Sequence, residues 1–463
     1  MNKSRTPELV QRYEEMLAKA ASIYFDTDEF EDIAFYYELE EQYQLAYETV
    51  CNGLTIHPGS HELLVKKALY LLCIEKPEEA LELIDSLHIT SAQSLLIKAD
   101  IYLANKKLDE SLVIVDQVIQ EAKPDFTLYL DVSDVFANND YFDLAISYLK
   151  KGLEIFPDNS DLTRELAFTY GDSEQFELMV ESLNQLLDAN PYEISDWISL
   201  IRAYGSMNQL DKAVEACDFA LAIDDKNEEV QMMRAVCLYE NGSSEAAASA
   251  FEECVKFESA NVAFLIVVIQ CFLELKRYDK ALVVAERIIA ENPDNADGYY
   301  QRAICYIGLK NVLSAYNSIN DALNIDPTNP DFLVVKADLL TERNDYAEAK
   351  EILLALLERE PDFYKTYFPL GYIYEQEENW DKALEFYRKS YDQNPQDAVS
   401  LLKIVKLYYL TKDYKSTVEY KLLLDAAIED PSNAEMLSNE YLLREFQLTD
   451  EYIKNIDNLL NNQ

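Results

Sequence analysis

The sequence predicts an all-α solenoid built from helical repeats, and three observations that share one spacing predict it. Alanine recurs every 34 residues at Ala213, Ala247, Ala281, Ala315, Ala349 and Ala383, with Ala145 in the same register. Proline follows twelve residues later at Pro157, Pro191, Pro293, Pro327, Pro361 and Pro395. Aromatic residues precede the alanines by nine, at Tyr102, Phe136, Tyr170, Tyr204, Phe272, Tyr306 and Tyr374. A fixed period in the 20–50 residue range is the mark of a solenoid, whose repeats each need their neighbours to bury an apolar face. The 463 residues therefore build one continuous core rather than the three or so globular domains that length alone suggests.

The elements follow in order. Residues 1–26 form an N-terminal cap with a helix over about 7–24, started by a hydroxyl and proline at Thr6-Pro7 and carried by Val10, Tyr13, Leu17, Ala20 and Tyr24 at helical spacing. Repeats occupy 27–431. The first starts at Thr27, and the second, from His61 to Ser91, is three residues short, with the deficit in the loop around His88. Later repeats start at Ala92, Phe126, Ser160, Ile194, Glu228, Val262, Ala296, Pro330, Tyr364 and Ala398, and the last is stretched. Residues 432–463 make a C-terminal cap of two helices, Asn433–Phe446 and Thr449–Leu460, with a fraying tail. No linker interrupts the chain, so the expectation is a single solenoid over 1–463.

Small residues at repeat positions 8 and 20 let two helices approach closely. Large apolar residues at positions 4, 11 and 24 fill the space between them. Proline at position 32 ends the second helix, because the residue before a proline avoids the helical region. Ile201, Ile269 and Val405 at position 8, and Met179 at position 20, depart from this rule.

The chain resembles the tetratricopeptide repeat family, with about twelve repeats over nearly its full length. Tyr364 to Asp397 carries the fullest pattern, in Tyr367, Gly371, Tyr374, Ala383, Tyr387 and Pro395, and Ile194 to Asn227 is close behind with Trp197, Tyr204, Ala213 and Ala220. The resemblance implies a right-handed superhelix whose first helices line a concave groove, with positions 2, 5, 9 and 12 facing inward.

Those positions carry the candidate site. Position 5 reads Ile198, Met232, Ile266, Tyr300, Val334, Phe368 and Leu402, an unbroken apolar ladder, and position 12 adds Tyr239 and Leu273. Packing between adjacent first helices is the competing account of these residues. The helix from Val262 to Leu273 has Gln270 as its only strongly polar side chain. A helix apolar all round is normally buried, and an exposed apolar patch marks a partner site. Position 9 lacks the adjacent Asn and Lys that would grip a C-terminal carboxylate. Lys403, Lys406, Lys412, Lys415 and Lys421 make the last repeat the one basic stretch, suited to an acidic segment or simply to solvent.

Charge and chemistry narrow the function. With 40 Lys and Arg against 86 Asp and Glu, the net charge is −46. That repels nucleic acid and anionic membranes and favours basic partners. The longest apolar run falls short of the roughly 20 residues a membrane span needs. Neither catalytic nor cofactor motifs are present. His57 and His61 are separated by Pro58-Gly59 and do not share a helix face, so a metal site is not expected. Cys237, Cys271 and Cys305 share one repeat position within apolar helices and read as small core residues. The expectation is a cytoplasmic, non-catalytic scaffold that holds a protein segment, basic or apolar-anchored, in its groove. An acidic chaperone-like or regulatory sheath for a basic protein is the alternative. An accessory subunit of an enzyme or RNA-associated complex ranks below both.

Overall fold

The computed structural model describes residues 6–19, 24–395, 397–429, 433 and 440–461. Among them every regular element is helical. Two compact units are present, residues 1–241 and 242–463.

In the first unit a leading helix α1 (Thr6–Lys19) is followed by antiparallel pairs: α2 (Thr27–Leu39) and α3 (Tyr43–Ile56), α4 (His61–Cys73) and α5 (Pro77–Asp85), α6 (Ala92–Ala104) and α7 (Leu108–Glu121), α8 (Phe126–Ala137) and α9 (Phe142–Ile155), α10 (Ser160–Asp172) and α11 (Phe176–Ala189), α12 (Ile194–Ser206) and α13 (Leu210–Ile223). The unit closes with α14 (Glu228–Glu240). The second unit holds α15 (Ser244–Cys254), then α16 (Val262–Glu274) and α17 (Tyr278–Glu291), α18 (Ala296–Gly308) and α19 (Val312–Ile325), α20 (Pro330–Glu342) and α21 (Tyr346–Arg359). A 3-10 turn, Tyr364–Thr366, leads into α22 (Tyr367–Gln376), followed by α23 (Trp380–Gln393), α24 (Ala398–Leu410), α25 (Tyr414–Ile428) and α26 (Glu440–Asn461).

The punctuation of each repeat has a local cause. Most first helices begin on a side-chain cap: Asp26, Ser60, Asn159, Asn227, Asn261, Asn295 and Asn329 each accept a hydrogen bond from a backbone N–H in the first turn. The turn inside each repeat places one residue in the left-handed region. Glu41, Glu75, Lys106, Asp140, Glu174, Asn208, Lys276, Lys310, Asn344, Glu378 and Lys412 all have positive φ, and Gly242 takes the same place. Behind it the next amide reaches back to close the helix, as in Gln42 N–H to Tyr37 O at 2.8 Å and Gln175 N–H to Tyr170 O at 2.8 Å. Holding a non-glycine residue there costs on the order of 1 kcal/mol, which the surrounding packing must offset. The spacing of these residues is 34 everywhere except between Glu75 and Lys106, where the second repeat is shortened.

The small positions do what their size predicts. Ala34, Ala68, Ala99, Ala145, Ala213, Ala281, Ala315 and Ala383 are fully buried. At Gly371 an added Cβ would come within 2.7 Å of the Tyr387 ring, so the two helices of that repeat meet through a missing side chain. The departures are accommodated rather than expelled. Ile201, Ile269 and Val405 are buried, and Met179 fits because Gly171 opposite it has no Cβ: one placed there would lie 3.0 Å from the thioether sulfur. Cys237, Cys271 and Cys305 are buried and unpaired.

The ends differ from the expectation in detail. Helix α1 buries Leu9, Val10 and Tyr13, and Tyr13 meets Phe25 and Phe30 edge to face. Tyr24, expected within that helix, is not helical and is mostly exposed, because the chain there extends toward the Asp26 capping box. Residues 20–23 lie outside the described residues. The C-terminal cap contains one 22-residue helix, α26, where a break near Thr449 was expected. Neither proline nor glycine interrupts it, and the Thr449 hydroxyl bonds back to Phe446 O at 2.6 Å within the helix. Pro431 and residues 434–439 lie outside the described residues.

Candidate functional site

In the second unit the open face of α16 runs along Ala263, Ile266, Gln270 and Leu273, while Phe264, Leu265, Val268, Ile269, Cys271 and Phe272 are buried. The all-round apolar character of this helix therefore divides into a broad core face and a narrow stripe at positions 2, 5, 9 and 12. On α18 the matching stripe carries half-buried Tyr300, Ile304 and Ile307, and Tyr300 stacks on Phe332 with ring centroids 5.1 Å apart. Phe368 is half-buried too. Val334 and Leu402 are different, 8% and 1% exposed, and belong to the core. In the first unit Ile198, Met232 and Tyr239 are half-buried. Seven of the nine ladder residues thus keep some surface, and two do not.

The basic stretch is largely used internally. Lys403 is buried beside Glu375 at 3.4 Å, and Lys406 contacts Glu375 at 3.0 Å and Glu445 at 3.5 Å. The Tyr387 hydroxyl donates to Glu375 Oε2, the oxygen that faces Lys403, at 2.8 Å. Burial pushes the Glu375 carboxyl up, but Lys403, the Tyr387 hydroxyl and Lys406 together outweigh it and hold the group below the usual carboxylate range. Lys421 is buried, pairs with Asp425 and with Asp450 at 2.9 Å, and lies over the Phe446 ring. Only Lys412 and Lys415 of the five are exposed. Three lysines that read as a surface patch are ties between α22, α24, α25 and α26.

The first unit contains a concave feature that the ladder does not touch. A pocket of about 300 Å³ is walled by four consecutive first helices, α2, α4, α6 and α8. Phe35, Leu69, Leu96 and Val135 give it an apolar floor, and Glu38, Asp100, Asp131 and Asp134 line it with carboxylates. Lys66 is the single cation among its lining residues, 3.7 Å from Glu38. Asp100 accepts a bond from Asn139 Nδ2 at 2.7 Å. Enclosure by the concave wall raises the Asp100, Asp131, Asp134 and Glu165 carboxyls, and neighbouring carboxylates raise the last three further. In the second unit Asp338, at the same repeat position as Asp100 and Asp134, behaves alike. Its side chain is open to solvent, yet the surrounding wall and Glu342 push it up to about 7. Arg164 and Arg202, on later first helices of the first unit, pair with Asp196 at 2.8 Å and Glu229 at 2.8 Å.

Among the described residues no group of three or more His, Cys, Asp or Glu is placed to hold a metal ion, and no helix is long and apolar enough to cross a membrane. His57 Nε2 lies 2.9 Å from Phe25 O, a structural contact at the first repeat.

Known proteins place this architecture. The family model described as tetratricopeptide repeat matches residues 334–398, within the run of helix pairs whose turns and small positions are set out above. The chain carries tetratricopeptide repeats. The model described as anaphase-promoting complex, cyclosome, subunit 3 matches residues 206–284 and 277–356. Anaphase-promoting complex subunit 7 of Dictyostelium discoideum is 26% identical over 247 residues, 51% of this chain and 41% of that protein. The DnaJ homolog subfamily C member 7 homolog of the same organism is 22% identical, covering 64% of this chain and 54% of that protein. The chain thus spans about half the length of these two relatives. The repeat-containing protein YpiA of Bacillus subtilis is 20% identical, over 74% of this chain and 90% of its own. A crystal structure of a tetratricopeptide repeat protein from Parabacteroides merdae superposes with a TM-score of 0.48 at 18% identity, over 55% of this chain and 98% of that one.

Proposed function

We propose that this tetratricopeptide repeat protein is a non-catalytic scaffold, acting in the cytoplasm, that holds segments of partner proteins along its first helices. The observation that carries this reading is the stripe of half-buried apolar side chains on α16 and α18, Ile266, Leu273 and Tyr300, on helices whose other apolar faces are already packed. Apolar surface left over after a helix has buried its core face is the raw material of segment recognition. Similarity to a protein named as a subunit of the anaphase-promoting complex supports membership of a multi-subunit assembly, with this chain in a structural part.

The acidic sheath remains the second reading, favoured by the net charge of −46. The two part in their salt response, because exposed charges separated by more than about 8 Å are screened at physiological ionic strength and apolar contacts are not. The test is affinity capture from the native cell with the wild-type chain and an Ile266→Asp/Tyr300→Asp variant, at low and physiological salt. The scaffold reading expects a defined partner set, resistant to salt and lost in the variant. Helical circular dichroism must survive in the variant; if it collapses, the two residues are core and the ladder is not a binding surface. Capture lost at physiological salt from the wild-type chain hands the function to the sheath.

A further inference from the structure

The shortened second repeat changes more than the spacing. Helix α5 has only nine residues, and the chain that replaces its last turn, Leu87 to Ser91, lines a second pocket of about 350 Å³. This pocket and the one walled by α2, α4, α6 and α8 share Lys66, Gln93 and Ile97, so they adjoin, and together they make a trough along the first four repeats. Glu31 lies in its wall with Oε1 buried and without a hydrogen-bond partner.

Three properties of the trough select an occupant. Its floor is apolar, so a bound chain must offer apolar side chains or aliphatic stems. Its rim carries Glu31, Glu38, Asp100, Asp131 and Asp134 against Lys66, so the occupant must carry positive charge. Asp131 and Asp134 have neither an ion pair nor a side-chain hydrogen bond among the described residues. The carboxylates are spread over α2, α6 and α8, and among the described residues no three are gathered to hold a metal ion. A cation that meets them must itself be distributed. Packed helices lie roughly 10 Å apart, which an extended peptide crosses in about three residues.

We propose that this trough docks an extended basic peptide segment, with Lys or Arg about every third residue and apolar residues between. Cationic heads would meet Asp131, Asp134 and Glu31 while the stems and apolar side chains lie on Phe35, Leu69 and Leu96. The site extends the reading of the chain as a scaffold but shares no residue with the Ile266 and Tyr300 stripe, so either can fail alone.

The test is fluorescence polarisation of the full chain with a labelled peptide of four Lys-Leu-Thr triplets at physiological salt. The Asp131→Asn/Asp134→Asn variant keeps side-chain size and should bind at least about tenfold more weakly, as expected for removing two charges that the bound chain would cover. A Glu177→Gln/Glu181→Gln control loses the same charge from the exposed side of α11 and should stay within about twofold of wild type, because distant charges are screened. The Ile266→Asp/Tyr300→Asp variant should bind as wild type. Equal loss in the control pair, or displacement of the peptide by spermine at matched charge, would reduce the effect to general polycation attraction and overturn the proposal. Unchanged affinity in the Asp131 and Asp134 variant would overturn it as well.

Discussion

Two carboxylate-bearing regions built by the same repeat end in opposite electrostatic states. In the first unit Asp100 and Asp134 stand at repeat position 9 along a trough, and their carboxyls are raised by enclosure. In the second unit Lys406 stands at position 9, and Glu375, three positions further along its own repeat, is held low by Lys403, Tyr387 and Lys406. Both regions enclose charge. One has satisfied it internally and is a structural lock; in the other, Asp100 is met by Asn139 while Asp134 stands exposed with no side-chain partner among the described residues. An exposed carboxylate lining a pocket is placed to meet an external cation.

The largest effect should come from breaking the lock. Glu375→Gln leaves Lys403 buried without its counter-charge. Removing one member of a buried pair costs about 3–5 kcal/mol, and this cluster shares its carboxylate between two lysines. Urea unfolding followed by hydrogen exchange in α22 and α24 should register that loss. A loss below about 1 kcal/mol would mean that solvent, rather than Glu375, balances these lysines.

Next come two glycines that look alike in sequence. Gly371→Ala drives a Cβ toward the rigid Tyr387 ring, and overpacking of that kind costs about 1–3 kcal/mol. Gly171→Ala meets the flexible Met179 thioether at 3.0 Å, which can turn aside, so its cost should stay under about 1 kcal/mol. Thermal melts of the two variants check the order. Equal costs would show that Met179 is as tightly held as Tyr387.

Much of this was legible in the chain. The alanines, prolines and aromatics at one spacing predict the helix pairs, and the three-residue deficit appears between Glu75 and Lys106 where the His88 region placed it. The left-handed residue in each turn was hidden because glycine occupies it only once, at Gly242. Lys403 and Lys406 were misleading because their partner Glu375 lies most of a repeat away, 31 residues before Lys406, just as Asp196 lies 32 after Arg164. Opposite charges at separations just under the period were the available signal. The trough was hidden for another reason: a run of carboxylates reads as a solvated face, and only the packing of four first helices shows that it is walled in.

The same logic predicts hydrogen exchange within each unit. Residues 160–190 depart from the repeat pattern at Met179, whereas 364–397 carry it most fully and are tied by Glu375. Amides of α11 should therefore open at lower free energy than those of α22, since local opening follows local contact quality. Equal protection would mean that Gly171 repairs the departure completely.

The smallest effect concerns the trough itself, and its sign opposes that of the lock. A carboxyl whose pKa is raised on folding binds more protons folded than unfolded between its ordinary and its raised value. Stability therefore falls as pH rises through that window, and the charged group opposes folding above it. Asp131 and Asp134 are such groups; Glu375, whose pKa is lowered, contributes stability above its unfolded value and loses it only as pH falls through the lower folded one. Asp131→Asn/Asp134→Asn should accordingly stabilise the free protein at pH 7, by less than about 1 kcal/mol because both side chains are exposed enough for water to screen them. The gain should fade as pH falls toward the ordinary carboxylate range, because the folded wild-type groups take up protons before the unfolded ones do. Saturating wild type with the Lys-Leu-Thr peptide should reverse the order at pH 7, since the bound cations stabilise the charged trough by mass action and the variant binds them poorly. A variant destabilised at pH 7 in the free state would show that the two aspartates are held by contacts within the fold, and the contrast with Glu375 would disappear.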